Sequence, residues 1–203
     1  MKPLFTRLLL SLTPFETSVL IFISFVLFYT MYDKFSGRLV PSNLLRLLTF
    51  QEGVDKFLVE MNKALSLSGL TVLAFSFFPI YKKRVRYALL WNAVVQLWVH
   101  AVYSTFKYYG SKNIPRISTF LDWSSEAIKK ISIFLGIVAQ LVLSLGYFSY
   151  INWFQLSLFG LSTSVLHFYT MEIDHKYVLR VRPYAFIVFP LSLIAFVFGC
   201  KLL

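Results

Sequence analysis

The chain has 203 residues, 58% apolar and 14% charged, with mean hydropathy +0.69 and net charge +11. Soluble domains carry about 25% charged residues, so an ordinary soluble core is excluded, and most of the apolar surface must face lipid or other helices. A charge of +11 would suggest nucleic acid for a soluble protein, but Lys and Arg here cluster at the ends of apolar runs, where they orient spans and attract anionic lipid headgroups, so nucleic acid is not expected as a partner.

Lys2 and Arg7 precede an apolar run that no small-x-small cleavage site follows, as in an uncleaved first crossing. That crossing is predicted over 14–32. Thr13-Pro14-Phe15-Glu16 supplies a capping box with proline at the first helical position. An amphipathic surface helix is predicted over 42–62. Leu44, Leu47, Leu48, Val54, Phe57, Leu58 and Met61 recur there at helical spacing against Arg46, Glu52, Asp55, Lys56 and Glu60. The second span is predicted over 64–81, with Pro79 near its end, and the basic run Lys82, Lys83, Arg84 and Arg86 stops it.

A third span is predicted over 87–106 and a second amphipathic helix over 117–130. The latter groups Ile117, Phe120, Leu121 and Ile128, with Trp123 at interfacial depth and a Glu126–Lys130 pair. Residues 131–171 contain no charged side chain, a length that suits a hairpin of two spans, 131–148 and 152–171. The break is expected at Ser149-Tyr150-Ile151-Asn152. A last span over 183–200 is interrupted by Pro190. The predicted fold class is therefore all-α: a single-domain, polytopic helical membrane protein of about six transmembrane helices and two amphipathic surface helices. Cations flank both faces, so charge alone leaves the orientation open.

The third span carries the clearest functional pattern. Asn92, Gln96, His100 and Ser104 recur every fourth residue and share one helix face, with Tyr103 beside them. Polar groups are unfavourable in hydrocarbon unless paired, so this face must point into the bundle. Expected partners are Gln140 and Ser144 in the fourth span, or Ser157, Ser162, Ser164 and His167 in the fifth. Interhelical hydrogen bonding accounts for the pattern, as does a substrate path, a headgroup pocket or a proton relay.

Glu172, Asp174 and His175 follow His167 and lead to Arg180 and Arg182. Glu172 and His175 have the spacing found in di-iron bundles, but such sites need a second such motif and two further glutamates. The segment is expected to be a juxtamembrane set of ion pairs. His100 lies mid-span and His167 near a span end, which separates them in depth and argues against axial haem ligation. Cys200 is the only cysteine, so neither an internal disulfide nor a cysteine metal centre is expected. No Gly-x-Ser-x-Gly occurs. The sequence points to no catalytic residue, metal or cofactor, and to Lys82, Lys83, Arg84 and Arg86 as lipid-headgroup contacts.

Around the third and fourth spans the chain reads His100-Ala-Val-Tyr, then Gly110-Ser-Lys-Asn-Ile-Pro115-Arg-Ile-Ser-Thr-Phe-Leu121-Asp122. This stretch resembles transmembrane protein thirty-three and its fungal Per/Pom relatives over about a third of the chain. The resemblance implies a small multispanning, non-enzymatic protein of the endoplasmic reticulum and nuclear envelope. It further implies association with other integral membrane proteins and an influence on membrane shape. Two other expectations stand beside it. One is a small transporter or lipid-handling protein with a site between the third, fourth and fifth spans. The other is an accessory subunit of a larger membrane complex.

Overall fold

A computed structural model describes residues 12–33, 38–49, 51, 53–109, 127–173 and 185–201. Its fold is all-α. Helix α1 spans Pro14–Met31, α2 Pro41–Leu48, α3 Val54–Ser76, α4 Lys83–Tyr109, α5 Ala127–Tyr147 and α7 Ala185–Cys200. Between the last two runs α6, over 153–173, built from Trp153–Gln155, a π-helical turn Leu156–Leu161 and Ser162–Ile173. A two-residue antiparallel pairing, β1 (Tyr32–Asp33) with β2 (Arg38–Leu39), is the only other regular element among the described residues.

The start of α1 is fixed reciprocally. Thr13 N donates to Glu16 Oε2 at 2.7 Å, and Glu16 N donates to Thr13 Oγ1 at 3.2 Å. Two otherwise orphaned backbone donors are thereby satisfied. The α5–α6 reversal lies at the expected break. Ser149 takes a positive φ of 63°, and Asn152 opens α6 with a second capping box closed by Gln155.

The interval 42–62 is not one surface helix, and this corrects the sequence expectation. Proline at the N-terminus starts α2, which ends at Leu48, and Gly53 at φ 87° breaks the chain. Helix α3 then runs unbroken from Val54 through Asn62 into the second apolar stretch. Apolar periodicity alone does not register such a break, because both sides of Gly53 keep helical spacing. The same helix stops at Ser76, short of Tyr81, because Pro79 disfavours helical geometry in the residue before it. The second amphipathic segment, 117–130, lies outside the described residues except for 127–130, which open α5. In α7 the chain continues helically through Pro190.

Helix α3 is central, packing against α4, α1 and α7, while α5 packs on α6 and on α4. Leu73, Phe77, Leu89, Leu90, Leu143, Leu156, Leu161 and Val188 form the fully enclosed centre. Phe57–Ser76 is the one stretch among the described residues that is both long and apolar enough to cross a membrane. Pro14–Phe28, Ile133–Tyr147 and Pro190–Cys200 are shorter apolar stretches.

The outer surface of the bundle carries many large apolar side chains. Leu20, Ile23 and Leu27 line the outside of α1; Trp91, Val95, Trp98, Val102 and Phe106 that of α4; Phe134, Ile137, Leu141 and Leu145 that of α5. Each set recurs at three- and four-residue intervals, so each forms one continuous apolar stripe. Small polar side chains, including Ser68, Thr71, Ser76, Ser157 and Ser164, are buried among the apolar core residues.

Candidate functional site

The polar face of α4 is joined mainly to α3. Ser68 Oγ donates to Gln96 Oε1 at 2.5 Å, and Asn62 Nδ2 donates to Ser104 Oγ at 2.9 Å. His100 Nδ1 lies 3.2 Å from the Asn62 carbonyl oxygen. A carbonyl can only accept, so Nδ1 is the protonated ring nitrogen of this contact. As residue number rises along α3 it falls along α4, the register of an antiparallel hairpin turning at 77–82. Asn92 stands partly buried one turn before Gln96.

The expected partners in α5 and α6 divide into two groups. Gln140 is buried and its Nε2 donates across to the Val94 carbonyl at 3.2 Å. Ser144 Oγ accepts from Trp98 Nε1 at 3.1 Å and donates to Gln140 O at 2.8 Å. Ser157, Ser162 and Ser164 do not join this seam. Ser157 Oγ donates to Phe196 O on α7 at 3.3 Å, while Ser162 and Ser164 donate to Leu158 O and Gly160 O within their own helix.

His167 does reach the seam. Its ring centroid lies 6.5 Å from that of His100, with the planes 63° apart. The separation in depth expected from sequence is thus overturned: α6 reaches its twelfth residue and more before His167, deep enough to bring the rings together. Gly136 on α5 leaves room for His167; a Cβ there would sit 3.0 Å from ring Cε1 and Nδ1. Sequence reasoning misses Asn62 and Ser68, because apolar periodicity places Asn62 in a surface helix and serines in apolar helices are common. The hairpin register was the signal that would have found them. Asn62 also retains a buried Oδ1 with no hydrogen-bond partner among the described residues.

A second polar cluster stands at the α3–α4 turn. Lys82, Lys83 and Arg84 are exposed, whereas Arg86 is partly buried with its Cζ 4.5 Å from the centroid of the Trp153 ring. Burial lowers the Arg86 pKa from its ordinary value, with the nearby Tyr87 phenol opposing the shift. Phe77 and Tyr87 flank the same indole at 5.4 and 5.2 Å. The side chain of Glu172, and Asp174, His175, Arg180 and Arg182 entirely, lie outside the described residues.

Chemically, the seam consists of amides, hydroxyls and two imidazoles that mostly satisfy one another. Among the described residues no group of three His, Cys, Asp or Glu comes together as a metal site. Comparison of the chain with protein-family models, curated proteins and solved structures found no match.

Proposed function

We propose that this chain is a polytopic membrane protein acting as a non-enzymatic scaffold, its apolar outer faces meeting lipid and partner membrane proteins. One observation carries the reading: apolar stripes outside, with hydrogen-bonded polar groups inside. A monomer in water rarely exposes apolar patches of this extent. In lipid the pattern is expected, because helix association there relies on small residues and interhelical hydrogen bonds. Helices of 18 to 27 residues in α1, α3, α4 and α5 measure about 27–40 Å at 1.5 Å per residue, against a hydrocarbon core of about 30 Å. The endoplasmic reticulum and nuclear envelope are the compartments the family resemblance suggests, which microscopy of the tagged chain tests.

Pairing within the seam supports packing over turnover. The experiment is affinity purification in mild detergent, with identification of the co-purifying proteins and lipids. Integral membrane proteins recovered in fixed ratio are the expected result. A protein recovered alone, with no effect of its loss on membrane form, sinks the scaffold reading.

A second reading, a transporter or lipid-handling site, is favoured by the His100–His167 approach beside the unpartnered Asn62 Oδ1. His100→Ala separates the two. On the scaffold reading it lowers thermal stability and leaves partner binding intact in folded protein. On the second it abolishes a transport or lipid-transfer activity.

A further inference from the structure

Two buried donors at the α3–α4 end of the bundle have no use in the scaffold. Arg86 Nε and Trp153 Nε1 are both shielded from solvent, and neither has a hydrogen-bond partner among the described residues. They belong to side chains in contact, the Arg86 Cζ lying 4.5 Å from the centroid of the Trp153 ring. Each can donate and neither can accept, and a buried donor without an acceptor is unfavourable.

Among the described residues no acceptor reaches either N–H. No carboxylate occurs between Glu60 and Asp122, or between Glu126 and Glu172, so α4 and the α5–α6 turn hold no anion of their own. Asn152 and Gln155, the nearest side-chain amides in sequence, accept from each other's backbone in the capping box. Meanwhile Lys82, Lys83 and Arg84 stand exposed beside Arg86 and make the local potential positive. The surroundings are those of an aromatic belt at a membrane interface. Trp91 lies 4.5 Å from Tyr147, and Tyr87 and Phe77 wall the Trp153 indole.

We propose that Arg86 and Trp153 form a binding site for a phosphate oxyanion, supplied by an anionic lipid headgroup at this end of the bundle. The guanidinium brings charge and a planar set of donors, the indole one fixed N–H, and the lysines long-range attraction. The lipid source rests on the membrane reading above; the phosphate chemistry is common to a headgroup and to free phosphate.

The test uses the full chain in phosphatidylcholine nanodiscs doped with phosphatidic acid, with retained lipid measured by native mass spectrometry after detergent exchange. Wild type should retain phosphatidic acid in preference to phosphatidylcholine and should not retain diacylglycerol. Trp153→Phe keeps the ring and its packing but loses the N–H, and Arg86→Gln loses the charge. Each should lower phosphatidic acid retention roughly tenfold in protein that remains monodisperse and helical. Arg86→Lys, which keeps the charge without the Nε–H, replaces Arg86→Gln if that variant does not fold. Displacement of the lipid by inorganic phosphate supports the site and assigns recognition to phosphate alone; resistance to displacement supports it with the lipid as source. Unchanged retention in folded Trp153→Phe overturns the site. So does a loss confined to a Lys82→Gln, Lys83→Gln, Arg84→Gln triple variant, which would mean diffuse attraction only. Carbonate extraction is measured separately. A chain released by carbonate ends the membrane reading, while quenching of indole fluorescence by inorganic phosphate, compared between wild type and Trp153→Phe, still decides the site.

Discussion

Ser68 donates a short hydrogen bond, 2.5 Å, to Gln96 across the α3–α4 interface. Replacing Gln96 with Leu leaves the Ser68 hydroxyl buried without its acceptor. Interhelical hydrogen bonds of this kind contribute about 0.6 kcal/mol on average and up to about 1.7 kcal/mol. Gln96→Leu is therefore expected to lower thermal stability in detergent by about that much. A double-mutant cycle with Ser68→Ala checks it, since the two changes should be less than additive. Gly199 gives a sharper residue-scale case. A Cβ there would run into the Ser157 side chain and come within 2.9 Å of Phe77 Cδ1. Gly199→Val should cost about 1–3 kcal/mol by overpacking, seen as a lower midpoint of thermal unfolding. At this scale the sequence was half legible. The four-residue spacing of Asn92, Gln96, His100 and Ser104 identifies an inward face, because helical phase is local information. Their partners are set by the register of the α3–α4 hairpin and by how deep α6 carries His167, both of which are decided by packing.

Helix boundaries were legible where a side chain writes them. Thr13 with Glu16 closes a reciprocal cap that is read directly from the sequence; the second, Asn152 with Gln155, falls at the expected break but emerges only in the structure. Asn152→Ala removes the side-chain acceptor for Gln155 N, which it now holds at 2.8 Å. The expected loss is about 0.5–2 kcal/mol, measured by thermal unfolding followed by far-UV circular dichroism. Its consequence reaches beyond α6, because the cap fixes the residue before Trp153 and so the indole against Phe77, Tyr87 and Arg86. Not every boundary set by backbone conformation was legible. Gly53 divides α2 from α3 through its positive φ, which apolar periodicity does not record. The π-helical turn at Leu156–Leu161 likewise left no mark in the apolar spacing. Such turns insert one extra residue into the helical ladder, which shifts the phase of everything after it, His167 included.

For the whole molecule, the decisive matter is which solvent the outer stripes face. Composition makes the case for lipid on aggregate, but one stretch alone among the described residues, Phe57–Ser76, is both long and apolar enough to cross by itself. In α4, Gln96 and His100 lower the apolar content of the helix although they turn inward onto α3. A helix in a bundle can carry polar groups that a lone crossing helix cannot. Leu141 and Leu143 on α5 separate the alternatives. Leu141 is 55% exposed and Leu143 is fully buried in the core. Leu143→Lys is damaging in any solvent, because it buries an unpaired charge. Leu141→Lys differs between the two. In water an exposed leucine replaced by lysine changes stability by no more than about 0.5 kcal/mol. At the centre of a membrane span the same change opposes insertion by about 2.5–3.5 kcal/mol. Expression of the Leu141→Lys chain with microsomes, scored by resistance to carbonate extraction, should therefore show a marked loss of integrated protein relative to wild type. Equal yields of soluble, folded wild type and Leu141→Lys would place the apolar stripes against partner proteins in water, and the reading of these helices as crossings would fail.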